Sequence, residues 1–124
     1  MPNMWTINNV LGGSSTKTDL VGCHIKVNDA GTAYEFTDNN PNVVLATTQG
    51  GSLPPPPFAF QDFGLDGYTW TVRVNTLTGG PSGNRAEGTW RNNAPDPTNA
   101  EGTYTAQAGA GVDADEDREA AASA

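Results

Sequence analysis

The chain has 124 residues, enough for one small core and short of two. Its 14 acidic side chains outnumber 6 basic ones for a net charge of −8, and such a surface has no footprint for tracking nucleic-acid phosphates. No apolar run approaches the roughly 18 residues of a membrane-spanning helix, and one cysteine with one histidine excludes an internal disulfide or a Cys/His zinc cluster.

The opening Met1-Pro2-Asn3-Met4-Trp5 has neither the basic nor the apolar region of a secretory leader. With the lone Cys23, this sets a cytoplasmic expectation, since disulfides do not persist there. The abundant Gly, Thr, Asn and Pro, with lysine only at Lys17 and Lys26, is instead a composition of exported bacterial β-proteins whose leader has been removed. A third reading of acidic charge with scarce lysine is adaptation to high salt.

Met4 to Val10 reads as a first strand. Val21, Cys23, Ile25 and Val27 then alternate with Gly22, His24, Lys26 and Asn28, a strand with one buried face. Asn28-Asp29-Ala30-Gly31 supplies turn chemistry, and Tyr34 and Phe36 alternate with Glu35 and Thr37, which predicts a hairpin with a four-residue loop. After the break at 38–42, Val43 to Thr47 is a short apolar strand. Pro54 to Pro57 favours polyproline II, an extended connector or edge. Phe58-Ala59-Phe60 follows as a lid or docking strand, and Gly64 to Gly67 as a turn.

The clearest strand is Tyr68 to Asn75, with Tyr68, Trp70, Val72 and Val74 on one face and Thr69, Thr71, Arg73 and Asn75 on the other. Ala86, Gly88 and Trp90 alternate next, then Gly102, Tyr104 and Ala106. These two strands share the pattern Glu-Gly-Thr-aromatic, at Glu87 to Trp90 and Glu101 to Tyr104, which fits neighbouring strands. From Val112 onward five acids accompany one arginine, a tail with no apolar stripe to dock and read as disordered.

About seven to eight short strands, Gly/Pro/Asn turns and no crossover helix predict an all-β domain over 1–111, with the tail at 112–124. The expected architecture is a small antiparallel up-and-down β-barrel whose interior is made by strands alone. A β-sandwich or jelly roll is the alternative; it lacks the Cys…Trp…Cys spacing of immunoglobulin domains.

Gly88-Thr89-Trp90-Arg91-Asn92-Asn93 followed by Gly102-Thr103-Tyr104 locally resembles the first two strands of avidin-type barrels. There a Gly-Thr-Trp strand ends in an asparagine that faces the ligand, so the resemblance implies Asn92 as a ligand contact. It extends no further along the chain.

Candidate chemistry is sparse. His24 is the one side chain whose ordinary pKa lies near neutrality, and it reads as an exposed strand histidine. Cys23 points inward as a small hydrophobe, and strand neighbours face opposite ways, so the two form no dyad. Asp62-Phe63-Gly64 spells a kinase metal triplet without the loops that give it meaning. Asp62/Asp66/Gly67 lacks calcium-loop spacing, and Asp113/Asp115/Asp117 alternates as such ligands do but lacks the loop glycine and the distal bidentate glutamate. No metal or cofactor is implied.

The aromatic set Tyr34, Phe36, Tyr68, Trp70, Trp90 and Tyr104 is either packed core or the wall of a cavity holding a small apolar or aromatic ligand. Trp5 either anchors a partner or closes the barrel end. The leading expectation is a non-catalytic binding or interaction module, leaning away from an enzyme. Its partner is a small apolar ligand, set by Tyr34, Phe36, Tyr68, Trp70, Trp90, Asn92 and Tyr104, or another protein; nucleic acid and membrane are not expected. The alternatives are a structural subunit of a capsid, coat or appendage, whose Pro-rich arm and long ends would wrap neighbouring copies, and a small-barrel cyclase or isomerase. The last becomes attractive if the strand faces are inverted, which would turn Glu35, Glu87, Glu101 and Arg73 inward.

Overall fold

Alternation along the chain becomes eight strands and one short helix in the computed structural model, which describes residues 4–12, 15–78, 84–94 and 100–108. The tail expected over 112–124 lies outside the described residues. In chain order the elements are β1 (Met4–Gly12), a 3-10 helix (Ser15–Leu20), β2 (His24–Val27), β3 (Tyr34–Thr37), β4 (Val44–Thr47), β5 (Phe58–Leu65), β6 (Tyr68–Thr78), β7 (Arg85–Asn92) and β8 (Glu101–Gln107).

The strands form one antiparallel sheet in the order β4-β3-β2-β1-β8-β7-β6-β5. Every hydrogen-bonded neighbour is consecutive in the chain except β1 and β8, which pair with each other. The sheet curls until β4 and β5 face one another without hydrogen-bonding, so it is an up-and-down barrel nearly closed, with a seam between those two strands. A single continuous sheet displaces the sandwich alternative.

The inward face is the one the alternation predicts. Ile25, Tyr34, Phe36, Trp70, Val72, Val74, Ala86, Trp90, Tyr104 and Ala106 are all buried, while Thr69, Arg73, Asn75, Thr89 and Arg91 are exposed. On β7 and β8 the inner side chains are complementary in size: Ala86 faces Ala106, Gly88 faces Tyr104, and Trp90 faces Gly102. Each shared Glu-Gly-Thr-aromatic segment therefore places its glycine against the other's ring. A glycine opposite an aromatic leaves the ring room to lie across the strand.

Local detail departs from strict alternation in several places. Phe60 and Phe63 both point inward because Gln61 and Asp62 form a bulge, with Asp62 at φ 56°. This carries β5 on through Gly64, so the expected turn at Gly64 to Gly67 shrinks to Asp66 and Gly67. A bulge at Asn8 lets both Ile7 and Val10 enter the core. The expected lid, Phe58 to Phe60, is instead the start of a barrel strand.

The β2–β3 connection is longer than expected. Asn28 Oδ1 accepts the Thr32 and Ala33 amides at 2.8 and 3.2 Å, which closes a loop over residues 28–33 before β3 begins. Nor does the strand expected from Val21 start there, since Val21 is 48 % exposed and β2 begins at His24. The preceding segment is the 3-10 helix. It inserts Leu20, fully buried, into the core, so the interior is not made by strands alone.

Candidate functional site

Every aromatic expected to line a cavity lies on the inner side of the sheet, and most are packed against one another. Phe36, Trp70, Trp90 and Tyr104 are essentially inaccessible, Tyr34 is nearly so, and Tyr68 is half-buried at the β5–β6 turn. Trp5 also lies in the core. Trp70 and Trp90 have ring centroids 5.6 Å apart. A second group runs from Trp5 to Tyr34 (6.5 Å), to Phe58 (4.8 Å), to Phe60 (5.7 Å), to Phe36 (5.5 Å) and to Phe63 (4.9 Å).

The polar atoms of the largest rings are committed to backbone carbonyls. Trp5 Nε1 donates to Thr78 O at 3.2 Å, Trp70 Nε1 to Leu65 O at 2.9 Å and Trp90 Nε1 to Leu11 O at 2.9 Å. The Tyr104 hydroxyl donates to Arg73 O at 2.9 Å, and burial pushes its phenol far above the usual tyrosine range. A buried N–H or O–H is costly to leave unpaired, and here each is satisfied within the fold. The strand ends are thereby fastened to the core. Asn92, which the avidin-like resemblance implies as a ligand contact, donates from Nδ2 to Thr16 Oγ1 at 2.8 Å and accepts the Ala94 amide at 2.9 Å. It ties the end of β7 to the 3-10 helix.

Cys23 is buried, and its thiol donates to Asp19 O at 3.4 Å. Burial, reinforced by Asp38, Asp66 and Asp19, pushes its pKa up to about 12, the opposite of what a nucleophile needs. His24 faces outward but is not free: Nδ1 lies 2.9 Å from Thr6 Oγ1. Its pKa is lowered, chiefly by burial, although a backbone hydrogen bond at Asn39 and the charge of Asp38 oppose that effect.

Asp19, Asp38 and Asp66 share a cleft at one end of the barrel with Thr18, Asn39 and Leu65. Burial and the neighbouring Asp66 raise the Asp19 pKa. No group of three or more His, Cys, Asp or Glu among the described residues is arranged to hold a metal ion. Glu35, Glu87, Glu101 and Arg73 stay on the outer face. Glu35 meets Lys26 at 3.7 Å and Glu87 meets Arg85 at 2.8 Å, so the inverted register under which those groups would turn inward does not occur.

A feature that strand alternation alone could not reveal lies on the outside of β5–β8. There a groove of about 490 Å³ is lined by Ala59, Gln61, Thr71, Arg73, Thr89, Arg91, Glu101 and Thr103, with Trp90 beneath. Two transverse rows build it. Ala59, Arg73, Thr89 and Thr103 lie side by side in one, and Thr71, Arg91 and Glu101 in the next. Arg73 Nε donates to Asn75 Oδ1 at 2.8 Å, but neither Arg73 nor Arg91 has a carboxylate partner among the described residues. Outward alternation marks each arginine as exposed; only the β6–β7 pairing makes them neighbours.

No known family, curated protein or solved structure matches this chain significantly.

Proposed function

We propose that the protein is a non-catalytic binding or interaction module that meets its ligand or partner on the outer surface of the barrel. The observation carrying this reading is the commitment of all three indole N–H groups to main-chain carbonyls within the fold. A cavity that recognises a ligand keeps a few polar groups aimed into it; here those of the largest rings are used to fasten the strands. The wall aromatics of the sequence-based expectation act in this reading as core, and the outer groove is the recognition surface.

Thermal-shift screening against one panel of apolar ligands and another of hydroxylated and charged small molecules tests it. Stabilisation by the second panel alone, with the responding compound recovered unchanged, is the expected result. Stabilisation by an apolar ligand with a change in tryptophan emission would move binding into the interior. Conversion of the compound would make the protein an enzyme.

A second reading, a structural subunit of an assembly, is favoured by the seam. Among the described residues β4 and β5 each leave one edge without a strand partner, and Val43, Val44 and Leu53, in and beside β4 and its connector, are 41 %, 43 % and 38 % exposed. Unpaired edges beside exposed apolar side chains are what strand addition between subunits uses. Sedimentation showing a strict monomer at high concentration would remove this reading.

A further inference from the structure

The outer groove of β5–β8 has a specific chemistry, and we infer from it that the site takes a small monoanionic, hydroxyl-bearing ligand of the sugar-acid class, its carboxylate held between Arg73 and Arg91. The inference rests on the outer-surface binding reading above. Its starting point is the distribution of positive charge. Acidic side chains outnumber basic ones by 14 to 6, and among the described residues Lys26 and Arg85 each pair with a carboxylate. Lys17, Arg73 and Arg91 do not, and of these Arg73 and Arg91 share one face of the sheet, with Glu101 directly across the ladder from Arg91.

Register fixes their separation. Arg73 faces Thr89 and Arg91 faces Thr71, so the two arginines are diagonal neighbours on one face, with backbones roughly 7–8 Å apart and long side chains that can converge on one group. Guanidinium pairs grip planar oxyanions through parallel N–H donors. Thr71, Thr89 and Thr103 border the same space with hydroxyls, Gln61 adds an amide, and Glu101 is an acceptor for ligand hydroxyls.

Charge and shape narrow the class. Two arginines against Glu101 leave one net positive charge, which suits one ligand carboxylate, while the −8 of the whole chain opposes a polyanion. An aromatic or purely apolar ligand finds no ring face, because Trp90 beneath the groove is 2 % exposed. The groove volume of about 490 Å³ falls in the range of small-molecule sites.

The test is a titration of the isotopically labelled full chain with D-glucuronate, D-glucose and sodium sulfate, followed by backbone amide shifts. Glucuronate is expected to move the amides around Arg73, Thr89 and Arg91, glucose to leave them in place, and added salt to weaken the effect. Arg73→Gln and Arg91→Gln should each weaken glucuronate binding roughly ten- to hundredfold at unchanged melting temperature. Equal responses to glucuronate and sulfate would reduce the site to a generic oxyanion contact and overturn the sugar-acid assignment. Shifts elsewhere on the barrel, or none, would overturn the site. The apolar-panel screen bears on the outer-surface reading separately, so the failure of one is told apart from the failure of the other.

Discussion

Gly88 and Tyr104 stand directly opposite each other in the β7–β8 ladder, and the phenol passes the bare glycine to reach Arg73 O on β6 at 2.9 Å. A Cβ built on Gly88 would collide with Arg73 O and approach the Tyr104 oxygen to 2.9 Å. One strand over, a Cβ on Gly102 would strike Leu11 O, the carbonyl that accepts the Trp90 indole. Both glycines are needed for close approach of neighbouring backbone. Gly88→Ala and Gly102→Ala should each cost about 3 kcal/mol or more, the scale of severe overpacking. Tyr104→Phe removes only the donor and should cost about 1–2 kcal/mol. Urea unfolding checks the order; an alanine variant as stable as the parent would refute the packing account.

The seam is bridged by rings where backbone hydrogen bonds are missing. Tyr34 on β3 stacks on Phe58 of β5 at 4.8 Å with planes 3° apart, and Phe36 meets Phe60 and Phe63. Such pairs contribute about 0.5–1.5 kcal/mol each beyond their buried area. Phe58→Ala should therefore cost about 2–3 kcal/mol and speed amide exchange in β4 ahead of β7. Uniform acceleration across all strands would show that the stack does not hold the seam.

The thiol of Cys23 should be inert in the folded protein. With its pKa pushed up to about 12 and its side chain buried, thiolate is scarce at any ordinary pH. Iodoacetamide at pH 8 should leave the native chain unmodified by mass spectrometry and label it fully in urea. Rapid labelling without denaturant would contradict the structure.

Two groups pull stability in opposite directions on acidification. His24 titrates lower in the fold than its ordinary 6.5, so the unfolded chain takes up the proton first and stability is lost as pH falls from 6.5 towards the folded value. His24→Gln should flatten that loss. Asp19 titrates higher than its ordinary 3.8; its charge costs stability at neutral pH, and the cost disappears as pH falls through the folded value to 3.8. Asp19→Asn should raise the melting temperature at pH 7 and leave it unchanged at pH 3. Thermal melts of both variants across pH separate the contributions.

What was legible in the sequence follows from which signals are local. Tyr68 to Val74 and the two Glu-Gly-Thr-aromatic segments announce their buried faces because each residue's orientation depends only on its neighbour. The bulge at Asp62 hides Phe63, since two inward residues three apart break period two. Leu20 was out of reach for a different reason: the 3-10 segment Ser15–Leu20 has one apolar residue at its end and no periodicity to reveal it. The seam was illegible because Val43 to Thr47 reads alike beside a partner or an empty edge. The groove is the least local feature of all, needing strand order and register before Arg73 and Arg91 become neighbours.

The pairing of β1 with β8 joins residues nearly the full described length apart; Asn8 and Gln107, hydrogen-bonded at 3.0 Å, are 99 positions apart. Contacts of such long sequence separation are slow to form. During synthesis, β1 must wait with one edge bare until β8 has left the ribosome. A chain halted before Glu101 would hold two uncapped half-sheets, a nascent species inviting chaperone capture.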